Sequence, residues 1–251
     1  MLIDIHTHIF PFEMQQNREA LVFRDQGFRC IYENEKARMT GSEEIIEMLD
    51  RENIDKAVVF GFPWQDIELC QQGNEYVLES VGKFPDRLIG FITLPWNNTE
   101  SVLKECERGL AAGSKGVGEL ALYHRPLNDH TMKQLDPLAQ ILEKKRLPLL
   151  LHINEPVGHD YPGKTVIDFK ALQNFIGAHP DLTIILAHWG GGFFFFELMP
   201  ELQKISKKHE PLTNHFLSET PRLLASGALA WLGGLPPVLS PHRAFSDEQE
   251  G

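Results

Sequence analysis

The sequence predicts an α/β chain folded as a (β/α)8 barrel of the TIM type, incomplete or irregular at strands 7 and 8. Three observations point there. Short, almost wholly apolar runs alternate with amphipathic helical stretches, the pattern of a parallel sheet covered by helices. Polar residues fall at the end of run after run: His6 and His8, Glu119, His152, His188. Strand ends converge on one mouth in a barrel, whereas in an open doubly wound sheet they spread along a line. No Gly-x-Gly-x-x-Gly or phosphate-loop pattern follows the first run, which weakens the nucleotide-binding alternative.

Residues 2–5 open the first strand, and "DIHTH" follows at once. Side chains alternate along a strand, so His6 and His8 share a face about 6.5–7 Å apart. Further strands are expected over 56–62, 87–94, 115–122, 147–153 and 182–189. Helices are expected between them. "SEEIIEMLDREN" has Ser42 as N-cap and acidic residues in its first turn. Residues 74–84 follow, then 99–113 with Thr99 as cap and Gly113 at the stop. Residues 129–145 and 167–180 complete the alternation.

Residues 1–210 are thus assigned to six β/α units and 211–251 to an atypical C-terminal segment of the same domain. Within it, 214–218 reads as a seventh strand and 221–232 as a helix. Residues 236–247 make a poor central strand, because prolines remove ladder donors. Eight units at the observed spacing need roughly 290 residues, against 251 here. One explanation expected for the composition change is a truncated or frame-shifted reading after about residue 210.

The formal net charge of −11 and the lack of a Lys/Arg cluster argue against nucleic-acid or anionic-membrane partners. Cys30, Cys70 and Cys106 are widely spaced with no Cys-x-x-Cys pair, as expected of reduced thiols in a cytoplasmic protein. Neither a signal peptide nor a membrane span is expected. The expected partner is a small-molecule substrate. An incomplete barrel would also favour homo-oligomers.

A single histidine on an apolar strand is more often a core residue than a ligand. Four at strand ends on one mouth suit a metal site, since neutral imidazole is the usual nitrogen ligand of zinc and other first-row ions. "IDIHTHIF", "GVGEL", "LLLHINEPVGHDYPGK" and "IILAHWGGG" resemble the strand-end motifs of the amidohydrolase superfamily. More narrowly they resemble amidohydrolase family 2, which includes the aminocarboxymuconate-semialdehyde decarboxylase relatives. The resemblance covers about residues 1–205.

It implies a distorted TIM barrel with a divalent metal, Zn2+ first among the candidates, at the mouth. His6, His8 and His152 would be ligands and His188 the general acid/base. Glu119 matches a fourth-strand position and would either bind metal or hydrogen-bond a ligand histidine. The family places an aspartate at the end of the eighth strand. Asp247 is the one aspartate after His188, and it lies four residues from the end in an acidic tail.

The implied function is a metal-dependent hydrolase using a metal-activated water. The alternatives are a decarboxylase or hydratase of unsaturated carboxylic acids, or an inactive truncated paralogue. His159, Tyr161 and Lys164 in the loop after the fifth strand, and Arg38 after the first, are candidate substrate contacts. Trp64 and Trp96 are candidates to wall the mouth. Among residues 193–196 at least one side chain is expected to line the pocket, meet a partner chain or pack in the core.

Overall fold

The computed structural model describes residues 1–97, 99–198, 222–224 and 228–230. Strand β1 (Leu2–His8) is followed by three short helices, α1 (Phe12–Gln16), α2 (Arg18–Arg24) and α3 (Gln26–Tyr32), where the sequence reading had only a long loop. Helix α4 (Ser42–Glu52) leads to β2 (Lys56–Phe60), α5 (Ile67–Lys83) to β3 (Leu88–Gly90), and α6 (Glu100–Ala111) to β4 (Val117–Leu120). Helices α7 (Asp129–Lys133) and α8 (Asp136–Lys145) precede β5 (Leu149–Leu151), and α9 (Phe169–Ala178) precedes β6 (Ile184–Ala187). Two short strands, β7 (Arg222–Leu224) and β8 (Ala228–Ala230), come last.

The strands form two four-stranded sheets ordered β3-β2-β1-β7 and β4-β5-β6-β8, and a parallel bridge from Ile92 to Val117 links them. From β1 to β6 the pairing is parallel and sequential. Curvature is evident from the core. Ile3 and Ile5 of β1, Val58 and Phe60 of β2, Leu150 of β5 and Ala187 of β6 pack in one cluster. Strands so far apart in the order meet only if the sheet wraps round a shared interior, as in a barrel. A second cluster carries Val102 and Cys106 of α6, Leu138 and Leu142 of α8 and Leu172 of α9 against the outer faces of β4, β5 and β6.

Residues 221–232 were expected to be helical; instead β7 pairs parallel to β1 and β8 antiparallel to β6. A short apolar run does not distinguish helix from buried strand by period, and here the open backbone edges of β1 and β6 take it. Other boundaries moved for local reasons. Helix α5 starts at Ile67 because the Asp66 carboxylate accepts from the Glu68 and Leu69 amides. The 129–145 helix is two, and Pro137, which lacks an N–H, sits in the first turn of α8 where none is needed. Gly41, not Ser42, precedes α4, and its amide donates to the Glu44 carboxylate at 2.8 Å.

A buried polar network ties α5 and α6 to the chain after β3. Asn74 Nδ2 donates to Thr93 O and to Glu105 Oε1, Asn74 Oδ1 accepts from Thr93 N, and the Thr93 hydroxyl donates to Phe62 O. Arg108 holds Glu105 with two bonds of 2.7 and 2.8 Å. Burial pushes the Glu105 carboxyl up, but Arg108 and Asn74 outweigh it and the net shift is downward. A lowered carboxyl contributes stability that is fully present above its unfolded pKa and is lost as pH falls through the folded value. Glu105→Gln is therefore expected to cost about 1–3 kcal/mol at pH 7. It should also flatten the loss of stability below about pH 4.5, as urea melts at several pH values would show. Unchanged melts would mean that the pair contributes nothing.

Candidate metal centre

The polar strand ends come together around one carboxylate. His6 and His8 close β1, Glu119 lies in β4, His152 follows β5 directly and His188 follows β6. Glu119 is 1% exposed. Its Oε2 stands 3.3 Å from His6 Nε2 and 3.2 Å from His8 Nε2. Its Oε1 stands 3.0 Å from His152 Nδ1 and 3.5 Å from His188 Nε2, and those two nitrogens are 3.1 Å apart. Each carboxylate oxygen thus faces a histidine pair. The sequence reading left Glu119 between ligand and supporting residue; in the fold it is the centre of the cluster.

Backbone geometry explains how these side chains arrive. Gly118 has φ +132°, and a Cβ there would lie 2.3 Å from the carbonyl oxygen of Leu150 on the neighbouring strand. Only glycine lets β4 approach β5 so closely while turning Glu119 inward. After β6 the chain runs left-handed from His188 to Gly192, with φ between 54° and 91°. His188 and Trp189 adopt this conformation without being glycine, a cost of about 1–3 kcal/mol each that persists only where the surroundings impose it. The left-handed run begins at His188, whose ring meets those of His6 and His152 edge-on.

The donor set suits a cation. His8 Nδ1 lies 3.0 Å from Gly61 O, and because a carbonyl only accepts, that nitrogen carries the proton. In the neutral ring Nε2 then turns a lone pair toward the Glu119 carboxylate. Two acceptors at 3.2 Å repel unless a cation or proton lies between them. Burial opposes charge on His6, but the Glu119 carboxylate outweighs it and the His6 pKa is raised. At His152 burial prevails and the pKa is lowered. Burial also opposes the charged Glu119, yet His6 and His152 hold its carboxyl well below the usual range. A tetrahedral ion with ligands at 2.0–2.1 Å separates its donor atoms by about 3.4 Å, close to the spacings here. The hydrogen bond from His8 Nδ1 to a backbone carbonyl is the usual outer support of a ligating histidine.

The other expected site residues make local contacts. Arg38 is exposed and stands 3.9 Å from Glu44. Tyr161 donates to Glu155 at 3.0 Å, the His159 ring packs on Tyr161, and Lys164 donates to the carbonyls of Val157 and His159, so the loop after β5 is tied to itself. Trp64 and Trp96 are fully buried core residues and do not wall the mouth; Trp96 Nε1 donates to Thr131 O. Phe193 is buried and packs edge-on against Phe169. Asp247, with 214–218 and 236–247, lies outside the described residues.

Sequence reading missed two tyrosines beside the cluster. Tyr123, just past β4, meets the His152 ring edge-on at 5.4 Å and stacks on Phe62. Tyr32, at the end of α3, packs against Phe10, Phe28 and Phe62. Burial, and next the Glu119 carboxylate, raises both phenols, which keep their protons in the neutral range. A tyrosine four residues past Glu119 was the one available signal.

The sequence model of the Amidohydrolase family matches residues 3–204. The chain belongs to that family. A 2-amino-3-carboxymuconate-6-semialdehyde decarboxylase of Dictyostelium discoideum is 26% identical over 239 residues, covering 77% of this chain and 64% of the relative. A gamma-resorcylate decarboxylase of Rhizobium radiobacter is 26% identical over 155 residues, covering 50% and 46%. The chain thus spans less than two thirds of the length of these two relatives. Among solved structures, a 5-carboxyvanillate decarboxylase of Novosphingobium aromaticivorans, complexed with manganese and 4-hydroxy-3-methoxy-5-nitrobenzoic acid, superposes with a TM-score of 0.58 at 18% identity. That match covers 89% of this chain and 77% of the other and establishes a shared fold. Members of the family are metal-dependent enzymes, and these relatives are decarboxylases. Among the described residues no helix is long and apolar enough to cross a membrane.

Proposed function

We propose that the chain is a metal-dependent decarboxylase of an aromatic or otherwise unsaturated carboxylic acid. The observation that carries this reading is the buried Glu119 ringed by four imidazoles at the mouth, together with the decarboxylases among its relatives. His6, His8, Glu119 and His152 would hold the divalent ion; their nitrogen and oxygen donors suit zinc and manganese alike. When bound, the ion supplies Lewis-acid charge opposite the substrate's oxygens.

His188 is the most exposed of the five, at 43%, and so the one placed to reach the substrate. Loss of carbon dioxide breaks the C–C bond and leaves its electron pair on the unsaturated carbon, which must take a proton. The His188 imidazole is assigned that delivery. General acids of this kind contribute about 10²–10⁴-fold. His188→Gln is expected to lower turnover by that factor while the purified protein keeps its metal. Loss of metal in this variant would make His188 a ligand instead.

The direct test is to incubate manganese- or zinc-loaded protein with 2,6-dihydroxybenzoate in D2O. The expected products are carbon dioxide and resorcinol bearing one deuterium at the vacated carbon. A second reading, hydrolysis, is favoured by the two-sided placement of Glu119, because a carboxylate with each oxygen facing a histidine pair suits two ions acting together. Two equivalents of metal, hydrolysis of ester or amide substrates and no carbon dioxide from aromatic acids would replace the first reading with this one.

A further inference from the structure

We propose that Tyr123 is the residue that orients the substrate, its phenol donating a hydrogen bond to the carboxylate of the bound acid; this rests on the decarboxylase reading above. The ring is held on every side. It stacks on Phe62 at an interplanar angle of 14° and meets His152 edge-on with centroids 5.4 Å apart. A Cβ on Gly27 of α3 would come within 2.8 Å of one ring edge, and a Cβ on Gly163 within 3.2 Å of the other. Two glycines on separate segments therefore leave room for the two ring edges, and Tyr123 fills it.

The hydroxyl at the tip of this fixed ring has no hydrogen-bond partner among the described residues. It is also absent from the sealed, unpartnered polar atoms of the interior, which are the Thr7 hydroxyl, Trp64 Nε1 and Gln134 Oε1. An unpartnered hydroxyl that is not sealed is open to water, and so to a ligand that displaces water. A pre-positioned phenol loses little side-chain entropy on binding, which makes such a bond count nearly in full. The hydroxyl reaches an acceptor oxygen about 2.7 Å away, and an acid bound over the His152 side of the cluster presents one. The nearby Glu119 carboxylate needs no bond from Tyr123, since its oxygens already face four imidazoles.

The test compares 2,6-dihydroxybenzoate with resorcinol, the same ring without the carboxylate. Binding to manganese-loaded protein is followed by stopped-flow tryptophan fluorescence, ahead of any turnover. Tyr123→Phe is expected to weaken the acid about tenfold or more, as loss of a bond to a charged group does, while resorcinol binding and metal content stay unchanged. Gly27→Ala, which keeps a helix-compatible residue but crowds the ring, is expected to weaken the acid in the same direction. Equal losses for acid and resorcinol would reduce Tyr123 to a ring contact and overturn the proposal. So would wild-type affinity for the acid in Tyr123→Phe, with the decarboxylase reading intact. Absence of acid binding in the wild type would overturn both.

Discussion

Glu119→Gln should strip the protein of divalent metal. At metal concentrations that saturate the wild type, elemental analysis is expected to find less than about a tenth of the wild-type content. Even outer partners of ligand histidines are worth about 10–100-fold in affinity, and Glu119 offers an oxygen to each of two histidine pairs. The His6→Ala/His8→Ala double variant removes only the pair that faces Oε2. If one ion sits among His6, His8, Glu119 and His152, both variants lose it. If two ions share Glu119, the double variant keeps the one held by His152 and His188. Full metal content in Glu119→Gln would show that the carboxylate only orients the imidazoles. Far-ultraviolet dichroism and melting of metal-free protein should show that Glu119→Gln still folds, since glutamine fills the same volume.

Gly118→Ala is expected to be among the most damaging additions of a single methyl group. Its Cβ would press to within 2.3 Å of the Leu150 carbonyl oxygen, backbone against backbone, at φ +132° where L-residues are strained. Either β4 parts from β5 or the residue turns over, and both movements carry Glu119 away from the histidines. The expected cost is about 3 kcal/mol or more in urea melts, with loss of bound metal even at temperatures where the variant stays folded. Gly82→Ala provides the contrast. Gly82 lies in α5, and a Cβ there meets nothing within 4 Å. That substitution should stabilise the protein by up to about 1 kcal/mol and leave metal binding alone. If Gly118→Ala melts like the wild type, the close approach of β4 to β5 is not what positions the carboxylate.

Much of the centre was legible in advance because its residues occupy repeated places in a repeated unit. His6, His8, Glu119, His152 and His188 each end an apolar run, and parallel strands of a barrel carry their ends to one mouth. Pattern alone therefore assembled the five. It did not reveal how they meet. Whether Glu119 belonged among the ligands or behind them depended on the direction of a side chain after a glycine with positive φ, where the Leu150 carbonyl leaves no room for a Cβ. The left-handed run that starts at His188 likewise goes against the local preference of two ordinary residues.

The errors have the same origin. Residues 221–232 contain short apolar stretches that fit helix or strand equally, and the choice fell to the open edges of β1 and β6. Tyr123 carries no sequence signal beyond its distance from Glu119. Its place beside His152 depends on Gly27 and Gly163, 96 and 40 residues away in the chain by their numbering. The sequence by itself determined the alternating units and the strand ends at which four histidines and Glu119 fall, because these follow from local period and residue type. Only the tertiary structure decided which oxygen faces which imidazole and which tyrosine packs against His152, because those relations are set by contacts between segments that no local pattern encodes.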